Sequence, residues 1–331
     1  MDIQTTLPER RGRRRIELLD VARGVALVAM AVYHFTWDLE FFGYAEAGLA
    51  ATGGWKVFAR CIASSFLFLV GVSLILAHGE TIRWRPFWTR WAMIVASAAL
   101  ITAVTWYATP ATFIFFGILH QIALASLLGL LFLRLPAPLT LAAGAAVIAL
   151  PFFFRAESFD QPWLWWTGLS PINPRSNDFV PLFPWFGAVL LGIAAGQVLV
   201  RTGWNERLAR PAAPRVARPL LLAGRHSLAF YLIHQPVLIA CLFLYAQVFP
   251  APEVPQEARF TKACEASCLE TRDNAFCPRY CGCMLQRLQT DGALEKLAAG
   301  DRSETFRSAV QDLAALCTGQ TDDALTQGGQ Q

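Results

Sequence analysis

The chain has 331 residues, of which 55% are hydrophobic and 16% are charged, and its formal net charge is +4. A soluble domain of ordinary composition is about 45–50% apolar and about 25% charged. The apolar residues lie in long blocks between residues 16 and 250, whereas residues 251–331 are polar and contain six of the eight cysteines. This distribution excludes a single soluble globule, a disordered chain and a small secreted disulfide-framed domain. It predicts an integral membrane protein with a polar C-terminal tail.

The chain begins with a strongly basic segment, RRGRRR at residues 10–15. Such a run is typical of a cytoplasmic topology anchor, and nucleic-acid binding by a membrane-tethered arm is the alternative. A cleavable signal is a third interpretation, because an Ala-Met-Ala motif at 29–31 follows an apolar stretch. Asp20 and Arg23 interrupt that stretch and argue against cleavage. We therefore predict a basic cytoplasmic N-terminus at 1–15 and no nucleic-acid partner.

Seven apolar blocks follow, most of them close to the roughly 20 residues that a helix needs to cross a bilayer. They cover residues 19–42, 57–78, 91–108, 111–133, 138–154, 180–200 and 222–249. The fifth block is the shortest and has Pro151 near its end. Alternating patterns of the barrel-strand type are missing, so the sequence predicts an all-α polytopic transmembrane bundle of about seven spans at 16–250.

The distribution of lysine and arginine predicts the orientation of these spans, because cytoplasmic loops carry the excess of positive charge. With the N-terminus inside, fourteen basic residues face the cytoplasm: Arg10, Arg11, Arg13, Arg14, Arg15, Arg83, Arg85, Arg90, Arg134, Arg201, Arg207, Arg210, Arg215 and Arg218. The opposite loops contain only Lys56, Arg155 and Arg175. We predict a multi-pass protein of the bacterial inner membrane with a periplasmic C-terminal tail.

The first span, LLDVARGVALVAMAVYHFTWDLEFFG, contains four ionisable side chains that fall on one helical stripe: Asp20, Arg23, His34 and Asp38. Ionisable groups at membrane depth are costly and usually mark a functional site. Arg23 and His34 are about 16 Å apart along the axis, at 1.5 Å per residue. Asp38, one turn beyond His34, is positioned to fix the imidazole tautomer. The alternative is that these groups only join helices through hydrogen bonds and salt bridges.

Further polar groups occur inside or at the ends of the later spans. Arg60, His120, Gln121, His234 and Gln235 lie at a depth that allows a cavity shared with His34. Each of these alone is more often a satisfied interior residue than a catalytic one. His78, Arg225 and His226 lie near the cytoplasmic boundary, where snorkelling explains them. A cluster of Arg23, Arg225 and His226 would also suit a polyanion.

Four segments resemble the catalytic domain of the heparan-α-glucosaminide N-acetyltransferase family over about residues 15–250: RIELLDVARGVALVAMAVYHF, GILHQIAL, FVPLFPWFGAVLLGIAAG and GRHSLAFYLIHQPVL. The first is also similar to membrane O-acyltransferases that acetylate bacterial surface glycans and carry an arginine and a histidine at the spacing of Arg23-x10-His34. Both resemblances imply an acyl-CoA-dependent acetyltransferase. Such an enzyme takes acetyl from cytoplasmic acetyl-CoA and places it on a sugar across the membrane.

The resemblance also implies roles for the polar residues. Arg23, Arg225 and His226 would bind the phosphates of acetyl-CoA. His34, oriented by Asp38, would deprotonate the acceptor hydroxyl or amine, or take the acetyl group itself. The acceptor end would be lined by His120, Gln121, His234, Gln235 and Arg60.

Two features depart from the family. Its eukaryotic members are longer, with more spans and a lumenal domain that is missing here. Their catalytic histidine lies just after the first span, and this chain has no histidine between His34 and His78. The assignment of His34 therefore depends on the looser glycan-acyltransferase pattern, and heparan sulfate is not the expected acceptor.

The polar tail is predicted to comprise a Pro-rich linker at 251–258, a Cys-rich helical module at 259–320 and a disordered end at 321–331. The x3 spacings place Cys264 with Cys268, and Cys277 with Cys281, on the same faces of two helices. This favours the bridges Cys264–Cys281 and Cys268–Cys277, with Cys283–Cys317 joining a third helix at about 303–317, although six cysteines allow fifteen pairings. Zinc binding is the alternative, but the tail has no histidine and no metal is predicted. Cys61 and Cys241 are interpreted as small apolar residues of the spans.

Two other classes of membrane protein remain open at this stage. A transporter or flippase for a lipid-linked sugar would use the same buried polar residues. A redox protein would ligate b-type haem with His34, His120 and His234, although the spans lack paired histidines at ligand spacing. The expected partners of an acetyltransferase are a glycan acceptor, the lipid bilayer and a second copy of the chain in a homodimer.

Overall fold

The computed structural model describes residues 16–46, 48–209, 214–252, 255–269, 271–298, 300–301 and 303–328. Over these residues the chain forms helices and no β-strand, so the predicted all-α class is confirmed. The chain divides into two compact units, Met1–Pro250 and Ala251–Gln331. The basic segment 1–15 lies outside the described residues.

In the first unit the seven predicted blocks all form helices. The described residues contain α1 (Glu17–Phe41), α2 (Gly53–His78), α3 (Trp84–Ala108), α4 (Ile118–Gly129), α5 (Ala137–Phe153), α6 (Leu182–Arg201), α7 (Trp204–Leu208), α8 (Arg218–Arg225) and α9 (Ser227–Val248). Five of them, α1, α2, α3, α6 and α9, are long and apolar enough to cross a membrane. The apolar α4, extended by a 3₁₀ turn to Phe132, and α5 are shorter. The unit is thus a polytopic helical membrane bundle.

The third, fourth and seventh predicted blocks differ most from the structure. The third starts at Trp84 rather than 91, and the fourth starts at Ile118 rather than 111, because residues 109–117 form a loop. The backbone groups of this loop bond to a second loop: Asn177 N–H donates to the Thr112 carbonyl over 2.8 Å. The seventh block is broken at His226, where α8 ends and α9 begins.

Glycines set the closest helix contacts of the bundle. A Cβ on Gly71 of α2 would lie 2.1 Å from the carbonyl oxygen of Val189 in α6, and a Cβ on Gly192 would lie 2.1 Å from that of Phe68. Small residues at such positions let two backbones approach, which is how membrane helices associate when water does not drive their packing. The α2–α6 pair is therefore held by a reciprocal glycine contact.

Helices α1 and α9 run parallel, side by side. His34 contacts His234, Asp38 contacts Gln235, and the Tyr44 hydroxyl donates to the Phe249 carbonyl. These contacts follow one another toward the C-termini of both helices, so the two helices point in the same direction. We call the end of the bundle near Glu17 the proximal end and the end near Phe41 the distal end. This parallel arrangement is consistent with an odd number of membrane spans from α1 to α9, with both helices counted.

The second unit is a small helical module with three disulfides. It contains α10 (Gln256–Cys268), α11 (Cys277–Thr290), α12 (Ala293–Ala298) and α13 (Glu304–Gly328). The bridges are those predicted: Cys264–Cys281, Cys268–Cys277 and Cys283–Cys317. All six thiols are used, and Cys61 and Cys241 of the first unit are free and exposed. Buried Met284, Leu288, Leu294 and Cys317 form the module's small core, a size at which disulfides usually supplement hydrophobic packing.

Helix α13 is longer than the sequence suggested. We expected a helix at about 303–317 and disorder at 321–331, but the helix continues to Gly328. Thr321 is buried and its hydroxyl donates to the Cys317 carbonyl over 2.7 Å, while Asp322 pairs with Arg272 at 3.5 Å. These contacts order a polar segment whose composition alone resembled a disordered tail.

Candidate active site

The proximal end of α1 carries a buried ion pair. The Arg23 guanidinium donates to Asp20 Oδ1 over 2.6 Å and to the Ser73 hydroxyl of α2 over 2.6 Å. The Asp20 side chain is 1% exposed. A carboxylate buried this deeply needs a charged partner, because an uncompensated charge is costly inside a protein. Asp20 and Arg23 are therefore paired, and the bond from Arg23 to Ser73 joins α1 to α2.

Arg225 of α8 lies against the same end of α1. Its guanidinium donates to Glu17 over 2.9 Å and lies 3.9 Å from Asp20. Gly224 permits this approach, since a Cβ there would lie 1.8 Å from the Asp20 carbonyl oxygen. Two arginines thus face two carboxylates, and the positive charge expected of a bare phosphate site is compensated within the protein. His226 is exposed at the junction of α8 and α9.

Two histidines meet where α1 and α9 pack together. The rings of His34 and His234 have centroids 5.1 Å apart and an interplanar angle of 59°. His234 is buried, and the Phe230 ring stacks parallel to it at 6.1 Å. Its Nδ1 lies 2.7 Å from the Tyr231 carbonyl oxygen, and its Nε2 is buried with no hydrogen-bond partner among the described residues. The structure therefore brings two of the predicted site residues into direct contact.

Asp38 bonds to a side chain of α9 and not to His34, the partner predicted for it. We expected it to orient His34, but its Oδ1 accepts a 2.6 Å hydrogen bond from the Gln235 side chain of α9. Asp38 is fully buried and its Oδ2 has no partner within the described part of the chain. Helical spacing correctly placed Asp38 on the face of His34, but the neighbouring helix presents a closer donor. Asp38 and Gln235 thus form a polar clamp between α1 and α9.

His120 was expected at the acceptor site, but both of its ring nitrogens are occupied. Nδ1 accepts from the Gly117 backbone N–H over 3.2 Å, and Nε2 lies 3.1 Å from the Thr102 hydroxyl. That hydroxyl already donates to the Ile114 carbonyl over 2.7 Å, so it accepts from His120 Nε2–H. His120 is consequently a neutral histidine of fixed tautomer that caps the start of α4.

A residue that the sequence did not single out, Asp178, caps the same helix from a distant loop. Its Oδ2 accepts the Ile118 backbone N–H over 2.9 Å, a favourable position for negative charge. A Cβ on Gly117 would lie 2.3 Å from this oxygen, so the glycine is needed. Burial raises the pKa of Asp178 to about 6, while the hydrogen bond from Ile118 opposes the shift. No local signal reveals this contact, because the two partners are 60 residues apart.

The two remaining predicted site residues, Gln121 and Arg60, have no described hydrogen bond to either histidine. Gln121 is fully buried on α4, and its amide nitrogen and oxygen have no partner among the described residues. Arg60, by contrast, is exposed on α2, and no described contact joins it to the histidines.

These features define a polytopic membrane protein with ionisable groups in two places along its first helix, a proximal ion-pair cluster and a deeper histidine pair. The chain belongs to the family described as heparan-alpha-glucosaminide N-acetyltransferase, catalytic, whose model matches residues 15–236. The family predicted from the sequence is thereby confirmed, and its function is of the transmembrane acetyltransferase type. The C-terminal module lies outside the match. No curated protein and no solved structure matches the chain.

Proposed function

We propose that this protein moves acetyl from cytoplasmic acetyl-CoA to a hydroxyl or amino group of a glycan on the far side of a bacterial inner membrane. The N-terminus is cytoplasmic and the disulfide module periplasmic in this proposal, as the arginine distribution favours. The observation that carries it is the contact between His34 and His234, held inside the bundle at 5.1 Å. Two imidazoles in contact between helices are suited to proton transfer.

The length of acetyl-CoA fits the distance between the proximal arginines and the histidine pair. Acetyl-CoA has a phosphorylated nucleotide at one end and its thioester at the other end of a flexible arm. Arg23 and Arg225 lie at the proximal end, and the histidine pair lies about 16 Å deeper along α1. The arginines would hold the phosphates while the thioester reaches the histidines. His226, exposed beside Arg225, would add a donor to the same phosphates.

The chemical step is a transfer from sulfur to oxygen or nitrogen. The histidine pair removes the proton from the acceptor hydroxyl or amine as that atom attacks the thioester carbonyl carbon. The carbon–sulfur bond then breaks, and the CoA thiolate leaves and takes up the proton. The unpartnered amide of Gln121 and the free Oε1 of Gln235, whose amide nitrogen is bonded to Asp38, would bind the sugar hydroxyls.

The direct test is acetyl transfer by the full chain in proteoliposomes, with acetyl-CoA on one side and glucosamine or methyl glucoside as probe acceptors on the other. We expect acetylated sugar from the wild type and a loss of at least about 100-fold in kcat for the double variant His34→Ala/His234→Ala, in the range for one acid–base group. Val32→Ala, on the exposed face of α1, serves as the matched control and should transfer normally. Movement of the sugar without acetylation would instead favour a transporter, and transfer that survives in the double histidine variant would contradict the site.

The proximal cluster yields a separate prediction about donor binding. The Glu17 carboxylate is hydrogen-bonded to the Arg225 guanidinium and would compete with the phosphates for it. Glu17→Gln removes this competing charge and should therefore lower the KM for acetyl-CoA about threefold. Arg225→Ala should raise this KM about tenfold, equivalent to about 1.4 kcal/mol. Steady-state kinetics in low salt measures both, with kcat unchanged. Arg218→Ala, an exposed arginine of the same helix, is the control. Equal KM values for all three variants would show that the phosphates bind elsewhere.

A further inference from the structure

We propose that His234, rather than His34, is the general base that accepts the acceptor's proton, an assignment that rests on the acetyltransferase function proposed above. Sequence spacing pointed to His34, because it shares a helix with Arg23. The hydrogen bonds of the two rings point to the other histidine.

The tautomer of His234 is fixed by the backbone of its own helix. A carbonyl oxygen can only accept, so the 2.7 Å contact between His234 Nδ1 and the Tyr231 carbonyl places the proton on Nδ1. The neutral ring then carries its lone pair on Nε2. That atom is buried, and none of the described residues donates to it. A general base requires such a lone pair, fixed in position and free of a hydrogen bond.

The surroundings of the ring hold it in place. Phe230 stacks on His234 with an interplanar angle of 8°, and the Gln235 side chain, next in sequence, is bonded to the buried Asp38. His34 differs, because no hydrogen bond within the described residues fixes either of its nitrogens, and it is only partly buried. We therefore assign His34 to substrate contact beside the thioester, and Asp38 with Gln235 to positioning of the base.

The reaction step is balanced with this assignment. The acceptor's O–H or N–H proton passes to His234 Nε2 as the acceptor atom bonds to the acetyl carbonyl carbon. The thioester carbon–sulfur bond breaks, and the imidazolium returns the proton to the departing CoA thiolate. The neutral Nδ1–H tautomer is restored without any further reactant.

A comparison of two acceptors distinguishes a histidine that acts as a general base from one that only supports the structure. Hydroxylamine is nucleophilic at neutral pH without help from a base, whereas a sugar hydroxyl is not. We expect His234→Gln to reduce transfer to methyl glucoside at least about 100-fold, with the KM for acetyl-CoA unchanged. The same variant should form acetohydroxamate from hydroxylamine within about twofold of the wild-type rate, after subtraction of the uncatalysed reaction. Cys241→Ala, an exposed position two turns along the same helix, should match the wild type with both acceptors.

Each result decides the proposal. Equal losses with methyl glucoside and hydroxylamine would assign His234 to structure or binding, and no loss with either would remove it from the reaction. Both outcomes overturn the inference while leaving an active acetyltransferase. A wild-type protein that transfers acetyl to neither acceptor would instead overturn the proposed function and this inference with it. A thermal denaturation midpoint of His234→Gln equal to that of the wild type in detergent confirms that the variant is folded.

Discussion

Replacing Gln235 by Glu is expected to reduce acetyl transfer at least about 100-fold, and adding Asp38→Asn is expected to restore most of it. The wild-type contact is a 2.6 Å hydrogen bond from the Gln235 amide to the buried Asp38 carboxylate. Two carboxylates at this distance cannot both be ionised. Gln235→Glu therefore forces a proton onto the pair or separates α1 from α9. Separation of the two helices moves His234, the residue next to position 235, away from His34.

The double variant reverses the direction of the hydrogen bond and keeps one negative charge. The amide introduced at position 38 would donate to the carboxylate introduced at position 235, so the two helices can return to their wild-type spacing. Asp38→Asn alone retains an acceptor oxygen for Gln235 and should lose only a few-fold in kcat. Steady-state kinetics of the three variants should show the loss and the rescue in kcat, with the KM for acetyl-CoA unchanged. A double variant no better than Gln235→Glu would show that Asp38 acts by its own charge and not as a clamp.

Replacing Gly192 by Ala is expected to destabilise the bundle more than any other single-methyl addition to α6. The added carbon would lie 2.1 Å from the Phe68 carbonyl oxygen, and that oxygen is backbone that cannot rotate away. Helices α2 and α6 must separate, which exposes Val189 and Ile193 of the buried cluster between them. Overpacking of this kind costs about 1–3 kcal/mol. The change should appear as a lower thermal denaturation midpoint of the purified protein in detergent.

Gly54→Ala is the matched control for this experiment. Gly54 also lies in a helix of the bundle, α2, but no atom approaches its added Cβ within 4 Å. Alanine is the better helix former by roughly 1 kcal/mol, so this variant should be as stable as the wild type or slightly more so. If Gly192→Ala and Gly54→Ala shifted the midpoint equally, the close contact between α2 and α6 would not be a determinant of stability.

The positions of the helices could be predicted because their signal is local. An apolar block of sufficient length forms a helix in a membrane whatever its neighbours are, since its backbone polar groups must be satisfied internally. The bounds of the third, fourth and seventh blocks differed from the prediction. The loop before α4, for example, accepts hydrogen bonds from Asn177 and Val180, which are distant in the chain. The disulfides were predictable for a similar reason. An x3 spacing on a helix presents two thiols on one face, and two such helices leave few ways to pair them.

The partners of the site residues were not predictable in the same way. The 100° periodicity placed His34 and Asp38 on one face of α1, which the structure bears out. The rotation of α9 about its own axis decided that Gln235, and not His34, bonds to Asp38. Similarly, the pairing of Glu17 with Arg225 spans 208 residues, and nothing in either segment indicates it.

The class of this protein follows from its sequence alone: its helices, its two units and the family to which residues 15–236 belong, with the observed disulfide pairing favoured by the cysteine spacing. These properties follow from composition, periodicity and spacing within single segments. Which groups meet across helices was settled by packing: His234 with His34, Gln235 with Asp38, Asp178 with the start of α4, and Arg225 with Glu17. The rotation and register of a helix are fixed by segments distant in the chain, so these contacts leave no local signal in the sequence.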